Sequence, residues 1–229
     1  MDQAENLRNV IKQQNQRNIP TARVITITSG KGGVGKSNLA VNLAVQFTRL
    51  GKRVIIFDAD FGLANVGVMF GTISQYTLKD VIFGHSSVRD IITTGPMGIG
   101  FVSGGSGVVE LNNLDKVQLK EVTRSLSELN ELCDILIIDT GAGVSDTVLD
   151  FVVASPEVLL VSTPEPGSIT DSYSLIKALY LHPLFVSGAL DIRLIANKIG
   201  SDAEAQAVGS VAVPEPALAQ HRDGDAGLC

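Results

Sequence analysis

Residues Gly30-Lys31-Gly32-Gly33-Val34-Gly35-Lys36-Ser37 satisfy the phosphate-binding pattern G-x-x-x-x-G-K-[ST], with a second lysine inside the loop. Glycines at these positions let successive backbone N–H groups curl inward as an anion nest. A helix starting at the end of the loop adds the positive end of its dipole. Lys36 is placed to reach terminal phosphates, and Ser37 to offer its hydroxyl to Mg2+. The loop lies between the apolar run Val24 to Thr28 and the helical pattern Leu39 to Val45, the strand-loop-helix setting that this chemistry needs. Residues Gly30 through Asn38 are therefore the expected nucleotide-binding segment.

Three further segments end in residues suited to the same site. The apolar run Val54 to Phe57 leads into Asp58 and Asp60. In isolation such a pair reads as helix-capping aspartates, but beside a phosphate loop it reads as a pair of carboxylates facing a Mg-phosphate group. The run Ile135 to Ile138 ends in Asp139, followed by Thr140-Gly141-Ala142-Gly143. This is Walker B architecture: a buried strand sets the carboxylate near the metal, and the glycines permit a loop that senses the γ-phosphate. The run Ile192 to Ala196 delivers Asn197-Lys198-Ile199-Gly200. A guanine-specific site wants Asp at the fourth position to accept from the base, so Gly200 favours adenine, with Asn197 and Lys198 as candidate contacts.

The elements that must position these residues are legible as short apolar blocks, in a chain of 229 residues with 45% hydrophobic content. Blocks of that kind are the mark of buried parallel strands. Ile99 to Ser103 and Val158 to Ser162 predict further strands, while Leu78–Phe83, Val88–Ile92, Leu119–Leu132 and Ser168–Leu181 predict helices. The cluster Gly104-Gly105-Ser106-Gly107 reads equally well as a mobile loop over the site or as a plain connector. Net charge of −6 argues against a broad nucleic-acid footprint. Cys133 and Cys229 have no metal-ligand spacing and are expected as reduced thiols, and His85, His182 and His221 are scattered. No run approaches a membrane span and the residues after Met1 are polar, so the expected location is cytoplasmic. In residues 1–20, Ala4, Leu7, Val10 and Ile11 fall on one helical stripe, although composition alone favours a disordered tail. No lysine occurs after Lys198, and residues 201–229 read as a second disordered tail.

Lys-Gly-Gly-Val-Gly-Lys-Ser resembles the deviant Walker A loop of the MinD/ParA ATPases, and Asp58-Ala59-Asp60-Phe61-Gly62-Leu63-Ala64-Asn65 resembles that family's Asp-x-Asp-x-Gly-Leu-x-Asn signature. The resemblance runs from about Val24 to Lys198. It implies an α/β P-loop NTPase with a mostly parallel central sheet and helices on both faces. It also implies ATP and Mg2+ as ligands and an ATP-dependent homodimer. Lys31 would contact phosphates in the partner's site, Lys36 those of its own, Asp60 would position the attacking water, and Ser37 with Asp139 would serve the metal.

The segment Asp2-Gln3-Ala4-x-x-Leu7-Arg8 narrows the resemblance to the FlhG group, also called FleN or YlxH, which regulates flagellar number and placement. The likeness implies that residues 1–18 bind the FlhF-type GTPase, with Gln3 assisting its GTP hydrolysis, and that flagellar basal-body components are further partners. Beyond Gly200 the chain departs from the pattern. Relatives continue with another strand, more helices and an amphipathic membrane-targeting helix, and no such periodicity follows here. The expectation is an ATPase region at 21–200 with its C-terminal part truncated or shifted in frame. Membrane attachment is not carried over, although full-length relatives sit at the pole or at the membrane periphery. The rival readings are a MinD septum-site or ParA partitioning ATPase, an iron–sulfur carrier, a GTPase-activating module, and an inactive product.

Overall fold

The computed structural model describes residues 22–60, 65–105, 124–125 and 127–209. Seven strands form one sheet: β1 (Arg23–Ser29), β2 (Val54–Ala59), β3 (Thr93–Thr94), β4 (Gly100–Ser103), β5 (Ile135–Ala142), β6 (Glu157–Ser162) and β7 (Asp191–Ala196). Their order is β3-β4-β2-β5-β1-β6-β7, and every pairing is parallel except that of the edge strand β3 with β4. The helices are α1 (Lys36–Arg49), α2 (Asn65–Phe70), α3 (Leu78–Ile82), α4 (residues 127–132), α5 (Asp146–Ala154), α6 (Pro166–Leu181) and α7 (Asp202–Gly209).

The central strands are apolar on both faces because both faces are covered. On β2 and β5, Ile55, Phe57, Leu136 and Ile138 point into a cluster closed by Leu78 and Val81 of α3, Leu129 of α4 and Phe151 of α5. Val54, Ile56, Ile135 and Ile137 point the other way, against Ala40 and Ala44 of α1 and Val66 of α2. A third cluster seats α5 and α6 on Val158 and Leu160 of β6. Sheet pairing and burial thus fix the C-termini of every strand but β3 along one edge, where the sequence puts its polar residues.

The sequence reading holds for every strand it named and for most of its helices; α2 and the two-residue β3 were not expected, and three further differences stand out. Residues 88–91 form a single turn instead of a helix: Asp90 accepts from the Ser87 N–H and hydroxyl at 3.0 and 2.6 Å, and the β-branched residues that follow turn the chain into β3. Residues 202–209, inside the stretch expected to be a disordered tail, form α7. There the Glu204 N–H donates to Ser201 Oγ, the Glu204 carboxylate accepts from the Gly200 N–H at 2.7 Å, and Val208 is buried. Helix α5, for which no expectation was formed, starts at the Ser145 cap, whose hydroxyl accepts from Val148 N–H. Of the expected helix over 119–132, residues 124–125 and 127–132 are helical, and the part before 124 lies outside the described residues, as do Ser106 and Gly107. No helix among the described residues is long and apolar enough to cross a membrane.

Candidate nucleotide site

The phosphate loop leaves β1 at Ser29 and enters α1 at Lys36. Gly33 and Gly35 have φ of 75° and 104°, conformations that side chains resist, so the loop's curl depends on glycine there. At Gly30 the requirement is space: a Cβ would meet the backbone of Asp171 in α6 at 2.2 Å. The N-terminus of α1 has no side-chain cap and no acidic residue in its first turn. Its free N–H groups and dipole are therefore not neutralised by the chain itself. Lys36, at the first position of that helix, is buried, and burial pulls its pKa down against the pull of Asp139 and Asp60.

Asp139 stands on β5 in register with Ile27 of β1 on one side and Asp58 of β2 on the other. Both of its carboxylate oxygens are buried without a hydrogen-bond partner, and burial pushes its pKa up to about 6. The Ser37 hydroxyl lies near enough to offset part of that rise, together with the Lys36 ammonium, yet neither contact completes a well-formed hydrogen bond to the carboxylate. A buried carboxylate of this kind costs free energy unless a cation joins it. The donor set of one carboxylate, one hydroxyl and bound phosphate oxygens is what Mg2+ uses, since it is held by one or two carboxylates plus phosphates. The described residues contain no group of three or more His, Cys, Asp or Glu side chains able to hold a metal unaided.

The two aspartates at the end of β2, Asp58 within it and Asp60 just beyond, divide the roles that sequence left open. Asp58 is the capping residue: one oxygen accepts from the Asn65 and Val66 N–H groups at 2.9 and 3.0 Å, at the start of α2. Its burial raises its pKa to about 6. Asp60 instead lies over the C-terminal end of β5, its Oδ1 3.9 Å from where a Cβ on Gly141 would be, and its charge acts on both Lys36 and Asp139. The end of β5 and the residue after it are tied to the base of the phosphate loop. Thr140 Oγ1 donates to the Ile27 carbonyl at 3.2 Å, and Gly143 N–H to the Ser29 carbonyl at 2.9 Å.

Asn197 and Lys198 come to the phosphate loop itself. Asn197 Nδ2 donates to the Val34 carbonyl at 2.8 Å and Lys198 Nζ to the Gly33 carbonyl at 2.7 Å, with Lys198 at φ 56°. They hold the backbone whose N–H groups face the phosphates, so they act first as positioning residues. Lys31 reaches Glu165 of its own chain, Nζ to Oε2 at 2.6 Å. Sequence reasoning missed Glu165, which carried no motif except its place before Pro166. Gln3 lies outside the described residues. Cys133 is buried, donates to the Leu129 carbonyl and has its thiol pushed up to about 12, while His182 faces Asp150 at 3.4 Å away from the loop.

Comparison with known proteins agrees with this geometry. A ParA family model described as "NUBPL iron-transfer P-loop NTPase" matches residues 20–182. The chain is 43% identical over 182 residues to the antiactivator FleN of Pseudomonas aeruginosa, covering 80% of this chain and 64% of FleN. It is 35% identical over 211 residues to the flagellum site-determining protein YlxH of Helicobacter pylori, covering 90% of this chain and 69% of YlxH. It thus spans about two thirds of the length of these relatives. Among solved structures, the septum site-determining protein MinD of Pyrococcus horikoshii complexed with Mg-ADP superposes with a TM-score of 0.65 at 25% identity, over 83% of this chain and 77% of that one.

Proposed function

The chain belongs to the ParA/MinD P-loop NTPase family, in the FleN/YlxH (FlhG) group, and from that premise we propose that it is an ATP-hydrolysing dimerisation switch controlling flagellum number and placement. The observation that carries the reading is the uncapped N-terminus of α1 with Lys36 buried in it, facing an Asp139 carboxylate that has no hydrogen-bond partner. Together they make a site whose positive side fits phosphate and whose negative side fits a cation. Mg2+, when bound with ATP, supplies neutralising charge to the phosphate oxygens, with Ser37 and Asp139 as the residues that would hold it. Lys36 neutralises the phosphate chain from the helix end. Asp60, close to Gly141 and acting by its charge on Lys36, would position the attacking water. The hydrogen bonds from Thr140 and Gly143 to β1 couple the end of β5 and the residue after it to the phosphate loop, so a change at the γ-phosphate is felt in both. Lys31 would act on the nucleotide of a second copy.

Iron carriage, which the family description mentions, is the weaker reading. The cysteine in the described core is buried and holds its proton strongly, which makes it a poor ligand. Residues 1–18 would stimulate the FlhF-type GTPase through Gln3. A peptide of those residues should speed GTP turnover by that GTPase, and Gln3→Ala should remove most of the effect while leaving binding largely intact.

The central test is Asp60→Ala. ATP affinity should stay within a few-fold while hydrolysis drops about a hundredfold, and a dimer should accumulate with Mg-ATP in size-exclusion chromatography. Loss of ATP binding with normal turnover per bound site would overturn the role given to Asp60.

A further inference from the structure

At the end of the sheet opposite the phosphate loop, β2 and β4 begin beside the turn that leaves α1, and a hollow of about 650 Å³ opens among them. Val54, Ile92 and Leu132 give this hollow an apolar side. Three cations, Lys52, Arg53 and Arg89, stand around it, in a chain whose net charge is −6. Local structure accounts for one of them: Asp134 accepts from Arg53 Nε and Nη2 at 3.2 and 2.7 Å. The C-terminal dipole of α1 already has Arg49 in its last turn, so Lys52 is not needed there. Asp90, the neighbour of Arg89, accepts instead from the Ser87 N–H and hydroxyl. Lys52 and Arg89 therefore make no ion pair with a described residue. Met97 also lines the hollow, 54% exposed and held at φ 59°, a conformation uncommon outside glycine.

We propose that this hollow is a second binding site, for a small amphipathic anion whose phosphate or carboxylate group is held by Lys52 and Arg89 and whose apolar body lies against Val54, Ile92 and Leu132. Its volume is that of small-molecule clefts, roughly 300–1,000 Å³. A guanidinium and an ammonium without partners suit an oxyanion, the first through its fork of N–H groups and the second as a point charge. An inorganic anion would leave the apolar side in water, and a neutral apolar molecule would leave both cations unpaired. Met97, with its flexible and polarisable thioether, can adapt to the body of the ligand. The 14 residues of α1, about 21 Å of helix, separate the hollow from the phosphate loop, so the two sites can be filled together. The proposal is independent of the dimer-switch reading.

The test uses the whole chain with saturating Mg-ADP, which keeps probes out of the nucleotide site, and 8-anilinonaphthalene-1-sulfonate, an anion on a flat apolar body, followed by calorimetry. Lys52→Ala and Arg89→Ala should each weaken its binding about tenfold, Arg89→Lys should keep most of it, and Arg49→Ala should leave it unchanged. Unaltered ADP affinity in each variant reports that the fold is intact. Binding within twofold of the parent in the Lys52→Ala, Arg89→Ala double variant overturns the proposal. So does loss of binding in Val68→Ser, Ile73→Ser, since those apolar side chains are 81% and 94% exposed elsewhere on the surface and would then be what the probe covers. Competition defines the ligand. Phenyl phosphate or benzoate should displace the probe, the better of the two naming the head group, with phenol and inorganic phosphate at least about tenfold poorer. Displacement by inorganic phosphate or phenol as readily as by the joined molecules, or by none of them, overturns the amphipathic site.

Discussion

At the N-terminal ends of the strands, charge is exposed and paired: Arg23 with Glu157 at 2.6 Å, Arg53 with Asp134 at 2.7 Å, Arg193 with Asp191 at 2.6 Å. At the C-terminal ends of the same strands, Lys36, Asp58 and Asp139 are buried, and of these Asp58 alone has its hydrogen bonds supplied by the backbone. Hydrophobic burial along β2 and β5 fixes both edges equally, so the contrast does not come from packing. It comes from what each edge must meet. Exposed pairs contribute little to stability, whereas a buried charge without a full partner costs stability and is retained where a ligand completes it.

The largest expected effect lies at the second edge. Lys36→Ala removes the cation buried at the N-terminus of α1, and calorimetry should show ADP and ATP affinity falling by at least about a hundredfold. An affinity within threefold of the parent would break the contrast, because the buried charges would then be structural only.

Asp139→Asn sharpens the same point through pH. Burial raises the carboxyl from 3.8 to about 6 in the folded chain, so the native state holds more protons than the unfolded one across that interval. The stability this group contributes is therefore present below about pH 4 and lost as pH rises through about 6. Asparagine imitates the protonated form at every pH. The nucleotide-free variant should be more stable than the parent by about 2 kcal/mol at pH 7.5, with the difference closing as pH falls towards 4 in urea titrations. Since Asp58 stands in register with Asp139 and feels its charge, pairing this change with Asp58→Asn should give less than the sum. Mg-dependent hydrolysis should be lost in the variant. A destabilised variant would mean that Asp139 already has a protein partner.

Much of the second edge was legible because strand and chemistry coincide in the chain: an apolar block followed at once by Asp139, or by the glycine loop and Lys36. Fold class followed from the same blocks. What could not be read depends on elements far apart in sequence. Nothing local marks Glu165 as the contact of Lys31, since the meeting is set by Gly30 lying on α6. The Asn197-Lys198 motif was visible, but its reach to the Val34 and Gly33 carbonyls required the position of β7 in the sheet. Helix α5 escaped because Val148, Leu149, Phe151, Val152, Val153 and Ala154 are all buried, which leaves little polar contrast to reveal a period. The Ser201 and Glu204 capping pair of α7 was a usable local signal that the composition of the surrounding stretch obscured.

The smallest expected effect belongs to the first edge. Arg193 and Asp191 lie two residues apart on the edge strand β7, and the guanidinium reaches one carboxylate oxygen through both Nε and Nη2, at 2.9 and 2.6 Å. The geometry is good, yet the side chains are 62% and 50% exposed, so water and salt compete for both ions. Arg193→Gln retains much of the aliphatic stem and a polar end while removing the charge. The melting temperature should move by no more than about 2 °C in low salt and by less in high salt, with ADP affinity unchanged. A fall of about 5 °C or more would show that the paired edge also bears on stability, and the difference between the two ends of the sheet would then be one of degree.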